Sequence, residues 1–244
     1  MYNNFALLYD ELMTDVDYKE WYLYIKKVLK KFDKDPQFIL EMACGTGNLT
    51  SYLAKDGYDI TCFDLSTDML SIAYNKLNKY KNVTIFNQNM VDFNINKKFD
   101  CIISICDSIN YVTDKDELLS TFKNVKNHLK DDGVFIFDIN SYYKLKDIIG
   151  NNTFLEDRED IFYTWQNYFD EDKNCSEFFL TFFVKDERGN YKRFDEEHIE
   201  RAYHTDEIIE LLQLANFQEI NCFDGFSFNK QNNKSERINF VVIA

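Results

Sequence analysis

The sequence predicts an α/β fold: a seven-stranded, mostly parallel sheet with helices on both faces, carrying an inserted antiparallel β-sheet. Three observations lead there. Apolar runs alternate with helix-period segments through residues 37–140. A glycine turn closes the first of those runs. Residues 151–203 then change to period-2 alternation.

Taken in order, "QFILEMA" (37–43) is a short strand ending at the glycine turn, and "NLTSYLAKDG" is a helix that stops at Gly57. "YDITCFD" (58–64) is the second strand. Ser66 is a natural N-cap for the helix in "STDMLSIAYNKLNKY", since its hydroxyl can accept an orphan N–H of the first turn. "NVTIFNQ" (82–88) is the third strand. "FDCIISIC" (99–106) is the fourth, apolar nearly throughout as a strand covered on both faces must be. "KDELLSTFKNVKNHLK" is an amphipathic helix ending before "DDG", and "GVFIFDIN" (133–140) is the fifth strand. Three antiparallel strands are expected in residues 151–203, with a turn at "DERGN". A helix in "TDEIIELLQLANF" follows, and "QEINCFD" and "RINFVVIA" can close the sheet as a hairpin. Residues 1–150 and 204–244 thus form one domain, and 151–203 an insertion into it.

Composition narrows the function classes. Of 244 residues, 45% are apolar and 17% aromatic, enough for a sizeable core. The net charge of −14 repels phosphate backbones, so nucleic acid is an unlikely partner. The lysines of "IKKVLKKFDK" read as the solvated face of a helix. No apolar run reaches the ~18 residues of a membrane span, and the first residues lack the basic start of a signal peptide. None of the six cysteines forms a CxxC pair, so they read as buried packing residues in a reducing, cytoplasmic setting. No membrane partner is expected, and the sequence leaves the oligomeric state open.

In an open parallel sheet, ligands bind at the carboxyl ends of the strands, where the strand order switches. Gly45 and Gly47 allow a sharp turn there and a close ligand approach. A dinucleotide site wants G-x-G-x-x-G, and here the third position is Thr50. Glu41 would also repel a pyrophosphate, whereas it would accept hydrogen bonds from an ammonium group. S-adenosylmethionine has an ammonium, a sulfonium and no phosphate. Asp64, at the end of the second strand, can take both hydroxyls of a ribose, which fits NAD equally well. Asn89 can read an adenine edge while Met69 and Met90 pack on the ring faces.

The series E-x-A-C-G-T-G (41–47), D-L-S-x-D-M-L (64–70), Q-N-M-x-D-F (88–93) and F-D-x-I-x-S-I-x-D-S-I-N-Y (99–111) resembles a class I S-adenosylmethionine-dependent methyltransferase, with its Rossmann-like fold. Within that superfamily it is similar to small-molecule N-methyltransferases, such as those that dimethylate amino sugars. The resemblance implies S-adenosyl-L-methionine as cofactor and a small-molecule acceptor. It implies that Ala43, Cys44, Gly45, Thr46 and Gly47 lie against the methionine part, that Glu41 fixes its amino group and that Asp64 holds the ribose. It sets Leu65, Met69, Asn89 and Met90 around the adenine, and turns Cys106 to Tyr111 toward the transferred methyl. Residues 151–203 would cover the substrate pocket as a lid. Relatives often carry Asp where this chain has Asn89, whose carbonyl can still accept from the adenine amine.

Tyr2, Tyr9 and Tyr111 are aromatic candidates near the sulfonium, Tyr9 as a cofactor contact, because an aromatic face stabilises a cation. If a general base is used, the candidates are Tyr111, Asp107 and His198. Alternation sets His198 and His204 on one strand face, without the third ligand a metal needs, so no metal is expected. His128, on the amphipathic helix, is expected to be exposed. Three rivals remain at this stage: an NAD-dependent oxidoreductase, a cofactor-binding protein without chemistry, and an RNA methyltransferase.

Overall fold

The structure is a computed structural model that describes residues 3–12 and 16–244. Helices α1 (Asn3–Leu12) and α2 (Tyr18–Lys31) precede the sheet. The alternation then runs β1 (Phe38–Met42), α3 (Asn48–Lys55), β2 (Asp59–Asp64), α4 (Thr67–Leu77), β3 (Val83–Asn87), β4 (Phe99–Ser104), α5 (Lys115–His128) and β5 (Leu129–Asn140). A second series follows: β6 (Thr153–Asp157), β7 (Ile161–Asp170), β8 (Cys175–Lys185) and β9 (Tyr191–Arg201). Helix α6 (Thr205–Leu214), β10 (Glu219–Asp224) and β11 (Arg237–Ile243) complete the chain.

The larger sheet has the order β3-β2-β1-β4-β5-β11-β10. Its first five strands are parallel, while β11 is antiparallel to both β5 and β10. The order reverses between β1 and β4, which opens a crevice at their carboxyl ends. β1 and β4 are apolar on both faces because both are covered: one core holds Leu40, Met42, Ile102 and Phe137, the other Ile39, Ile103, Ile136 and Val241. Local chemistry agrees with the expected ends. The Ser66 hydroxyl accepts the Met69 N–H, and Asp114 caps α5 through the N–H groups of Asp116 and Glu117.

The smaller sheet, β6-β7-β8-β9, is antiparallel throughout. It has four strands where three were expected. The extra one, β6, reads "TFLED", and its exposed edge position gives it no apolar alternation to detect. The sheet rests on a π-helical turn, Lys144–Ile149, through Leu145, Ile149, Phe169, Phe178 and Ala202. β5 begins at Leu129 rather than at Gly133, so the "DDG" expected as a break is part of the strand. The chain leaves β9 before His204, which starts α6 and stacks on Tyr142 at 4.0 Å, so it does not share a strand face with His198. His128 is half-buried rather than exposed. Its Nε2 accepts the Ile95 N–H, so Nδ1 carries the proton given to the Asn124 carbonyl. Among the described residues no helix is long and apolar enough to cross a membrane.

Candidate active site

The turn after β1 is built from three residues of positive φ: Ala43 (51°), Gly45 (54°) and Gly47 (77°). The two glycines serve different needs. A Cβ on Gly47 would meet Leu77 Cδ1 at 2.7 Å, so Gly47 lets α3 start against α4. A Cβ on Gly45 would meet nothing within 4 Å, so the space above it is open to a ligand. Cys44 is buried, and its N–H donates to the Phe63 carbonyl, tying the turn to β2.

Glu41 lies below this turn, on β1, with 2% of its surface exposed. Its Oε2 accepts a 2.6 Å hydrogen bond from the Thr50 hydroxyl. Thr50 therefore occupies the third glycine position of a dinucleotide fingerprint and uses it to hold the acid. Burial pushes the Glu41 carboxyl up to about 8, against the pull of the Thr50 bond. Among the described residues no basic side chain pairs with it.

Asp64 ends β2, and both its oxygens accept backbone N–H groups. Oδ2 accepts the Gly45 N–H and Oδ1 the Ser66 N–H, each at 2.8 Å. A carboxylate has about four acceptor sites, so these bonds leave room for two hydroxyls. Leu65, next in sequence, is 68% exposed. Met69 sits in the first turn of α4 and is half-buried. Asn89 is exposed and its Oδ1 accepts the Val91 N–H, while Met90 packs against the core beside Val91 and Ile95. An acid for a ribose, an open apolar shelf beside it, a glycine turn and a buried acid without a cation fit a nucleoside that carries an ammonium group.

Helix α1 clamps onto the same turn. Asp10 accepts from the Thr46 hydroxyl at 2.7 Å, from Asn48 at 2.9 Å and from Lys76 at 2.8 Å. Tyr9, its neighbour, meets the Tyr18 hydroxyl at 3.5 Å, and burial raises its phenol well above the ordinary value. Tyr2 lies outside the described residues.

A second sharp turn follows β4. Cys106 (φ 58°) and Asp107 (φ 56°) are both left-handed although neither is glycine. The Arg237 guanidinium from β11 binds Asp107 Oδ1 at 2.9 Å and also pairs with buried Asp138 of β5. The Asp107 N–H donates to Asp138 Oδ2 at 3.1 Å. Asp107, expected as a candidate base, is thus bound into a structural ion network. Burial pushes the Cys106 thiol well up, which disfavours its thiolate.

The chain then forms a 3₁₀ turn, Ser108–Tyr111, under the last strand of the smaller sheet. Buried Asn110 donates to the Asn140 and Arg201 carbonyls, and Arg201 Nη1 donates to the Thr113 carbonyl. Tyr111 is 47% exposed and meets the His198 ring edge-on at 5.9 Å. Burial lowers His198 below the ordinary imidazole value, so it is neutral near pH 7. Glu200, two residues on, is buried and accepts from the Asn140 amide at 2.9 Å.

The structure therefore brings Tyr9, Glu41, the Ala43–Gly47 turn, Asp64 and Cys106 to one end of the sheet, with Tyr111 and His198 meeting beside them. Sequence reasoning missed Asp10, Thr50, Arg237 and Glu200. Thr50 carried a signal, as the residue that breaks the glycine spacing. The other three lack one, because their partners lie 36, 130 and 60 residues away.

Comparison with known proteins gives concordant results. A family profile described as a methyltransferase domain matches residues 39–133. A Geobacillus sp. (strain WCH70) protein bearing a methyltransferase name is 36% identical over 244 residues, covering 99% of this chain and 98% of that one. The crystal structure of an S-adenosylmethionine-dependent methyltransferase from Clostridium acetobutylicum ATCC 824 is 42% identical, with a TM-score of 0.90 over 99% of this chain and 98% of that chain. A shorter match, 30% identical over 100 residues and 41% of each chain, is to the dTDP-3-amino-3,4,6-trideoxy-alpha-D-glucopyranose N,N-dimethyltransferase of Streptomyces venezuelae.

Proposed function

We propose that this chain, which belongs to the class I S-adenosylmethionine-dependent methyltransferases, methylates a small-molecule amine. The observation that carries the reading is the seating of the smaller sheet. Its β9 strand is bonded to the segment after β4 through Asn110 and Arg201, and His198 meets Tyr111 there. A sheet fixed over that segment suits an acceptor small enough to be covered, and we assign it the role of lid. The inward face of β9 carries Glu196, His198 and Glu200, with Leu180 and Phe178 opposite on β8. Carboxyl groups among apolar side chains suit a cationic or amine-bearing acceptor.

S-adenosylmethionine supplies an activated methyl group, which the acceptor lone pair takes by in-line displacement. The protein's part is to bind, align and exclude water. In this reading Asp64 takes the ribose hydroxyls, Leu65, Met69, Asn89 and Met90 surround the adenine, and Glu41 receives the ammonium. Tyr9, Cys44 and Cys106 lie along the methionine part. Tyr111 orients the acceptor, and neutral His198 is able to take its proton. Asp107 acts by holding the turn, in place of the base role first expected.

The test is release of S-adenosylhomocysteine from S-adenosylmethionine with a panel of amino sugars, their hydroxyl counterparts and total RNA. Turnover confined to the amines is the expected result, and Tyr111→Phe should lower it while leaving cofactor affinity unchanged. Turnover with RNA alone would overturn the reading.

A further inference from the structure

Glu41 has surroundings that set its chemistry. It sits on β1, between β2 and β4, inside the larger sheet. One side is closed by Thr50 of α3, whose hydroxyl is its hydrogen-bond donor. Among the described residues, the titratable groups around it are acids or thiols: Asp64 from the end of β2, Cys44 of the glycine turn with Cys62 beside it, and Cys106 after β4. An anion buried in that position would have no counter-ion among the described residues, and such a group keeps its proton. Thr50 suits either form, because a hydroxyl donates to a carboxylate or to the carbonyl oxygen of a carboxylic acid.

We infer that Glu41 is a neutral carboxylic acid in the free protein and releases its proton to solvent when the cofactor's ammonium group binds. The inference rests on the reading of Glu41 as the partner of that ammonium. The balance is simple. The carboxylic acid and the ammonium ligand give a carboxylate–ammonium pair and one proton, and no other bond breaks. The arriving ammonium is the counter-ion that the site otherwise lacks. Affinity for a ligand with the amino-acid part then rises with pH, by up to roughly tenfold per pH unit while the free acid is still protonated. A ligand without that part is indifferent to Glu41.

The experiment is isothermal titration calorimetry near pH 6.5, in buffers of low and high ionisation enthalpy, where the difference in heat counts protons. S-adenosylhomocysteine carries the ammonium, and methylthioadenosine has the same ribose and adenine without it. Release of close to one proton with the first and none with the second is expected, and Glu41→Gln should abolish the release. S-adenosylhomocysteine binding with no release would overturn the inference while leaving the cofactor site standing. Equal release with both ligands would also overturn it, by tracing the proton to the ribose side and Asp64. Failure of both ligands to bind the folded wild-type protein would remove the site reading and this inference together. The wild-type comparison decides the matter even if the variant does not fold.

Discussion

Two turns face each other across the crevice, and they reach the same left-handed backbone by opposite means. The turn after β1 uses glycine at two of its three left-handed positions, with φ of 54° at Gly45 and 77° at Gly47 beside 51° at Ala43. The turn after β4 uses Cys106 and Asp107, at 58° and 56°. For L-residues this conformation costs about 1–2 kcal/mol each, so the second turn needs an external hold. Arg237, bonded to Asp107 and Asp138, supplies it. The first turn rests largely on its own glycines, while the second is held by distant residues. A backbone that tolerates its shape can be read in a sequence, and one that is forced into shape cannot.

The largest expected effect strikes the imposed turn. Arg237→Met leaves Asp138 buried without its cation and should cost about 3–5 kcal/mol in urea unfolding. Arg237→Lys should restore part of this, because it keeps charge but loses the fork that reaches two carboxylates. An Arg237→Met protein as stable as wild type would show that the second turn needs no hold. Next comes Glu41. Its folded-state value of about 8 lies above its ordinary 4.5, so its stabilising protonation is fully present below pH 4.5 and is lost as pH rises through 8. Denaturation midpoints should fall across that window in the wild type and fall less in Glu41→Gln.

Within the intrinsic turn, Gly47→Ala should destabilise by about 1–3 kcal/mol, through its φ and the contact with Leu77. Gly45→Ala should have the smaller effect on unfolding and the larger one on cofactor affinity, since its methyl would meet no protein atom within 4 Å and would enter the open space over the turn. Equal effects at the two positions would remove the distinction between them. The smallest change is expected from Asp10→Asn. Asp10 and its ion-pair partner Lys76 are partly exposed, so stability should move by less than about 1 kcal/mol, while S-adenosylhomocysteine affinity falls a few-fold as α1 loosens from Thr46 and Asn48.

The sequence revealed what local chemistry and periodicity write. The five parallel strands, the Ser66 cap, the glycine turn and Asp64 all belong to short stretches whose meaning needs no distant partner. It hid what only tertiary contact decides. β6 is an edge strand whose Phe154 and Leu155 are exposed, so no buried face gives it a pattern. His128 looked like a surface residue until Ile95 and Phe93 were brought over it. His204 followed the strand alternation in sequence but begins a helix. Asp107 was one of three candidate bases in the sequence, and its ion pair could not be read there because Arg237 lies 130 residues away.

That separation has a consequence for how the molecule assembles. Closing a long loop carries an entropic cost that must be met before its contact yields anything. The glycine turn spans a few residues and can form as soon as β1 and β2 pair. The opposite wall takes its shape only after β11 has docked beside β5 and delivered Arg237. During refolding, the glycine-turn side of the crevice is therefore expected to form before the side held by Arg237, which a stopped-flow comparison of wild type with Arg237→Met would check.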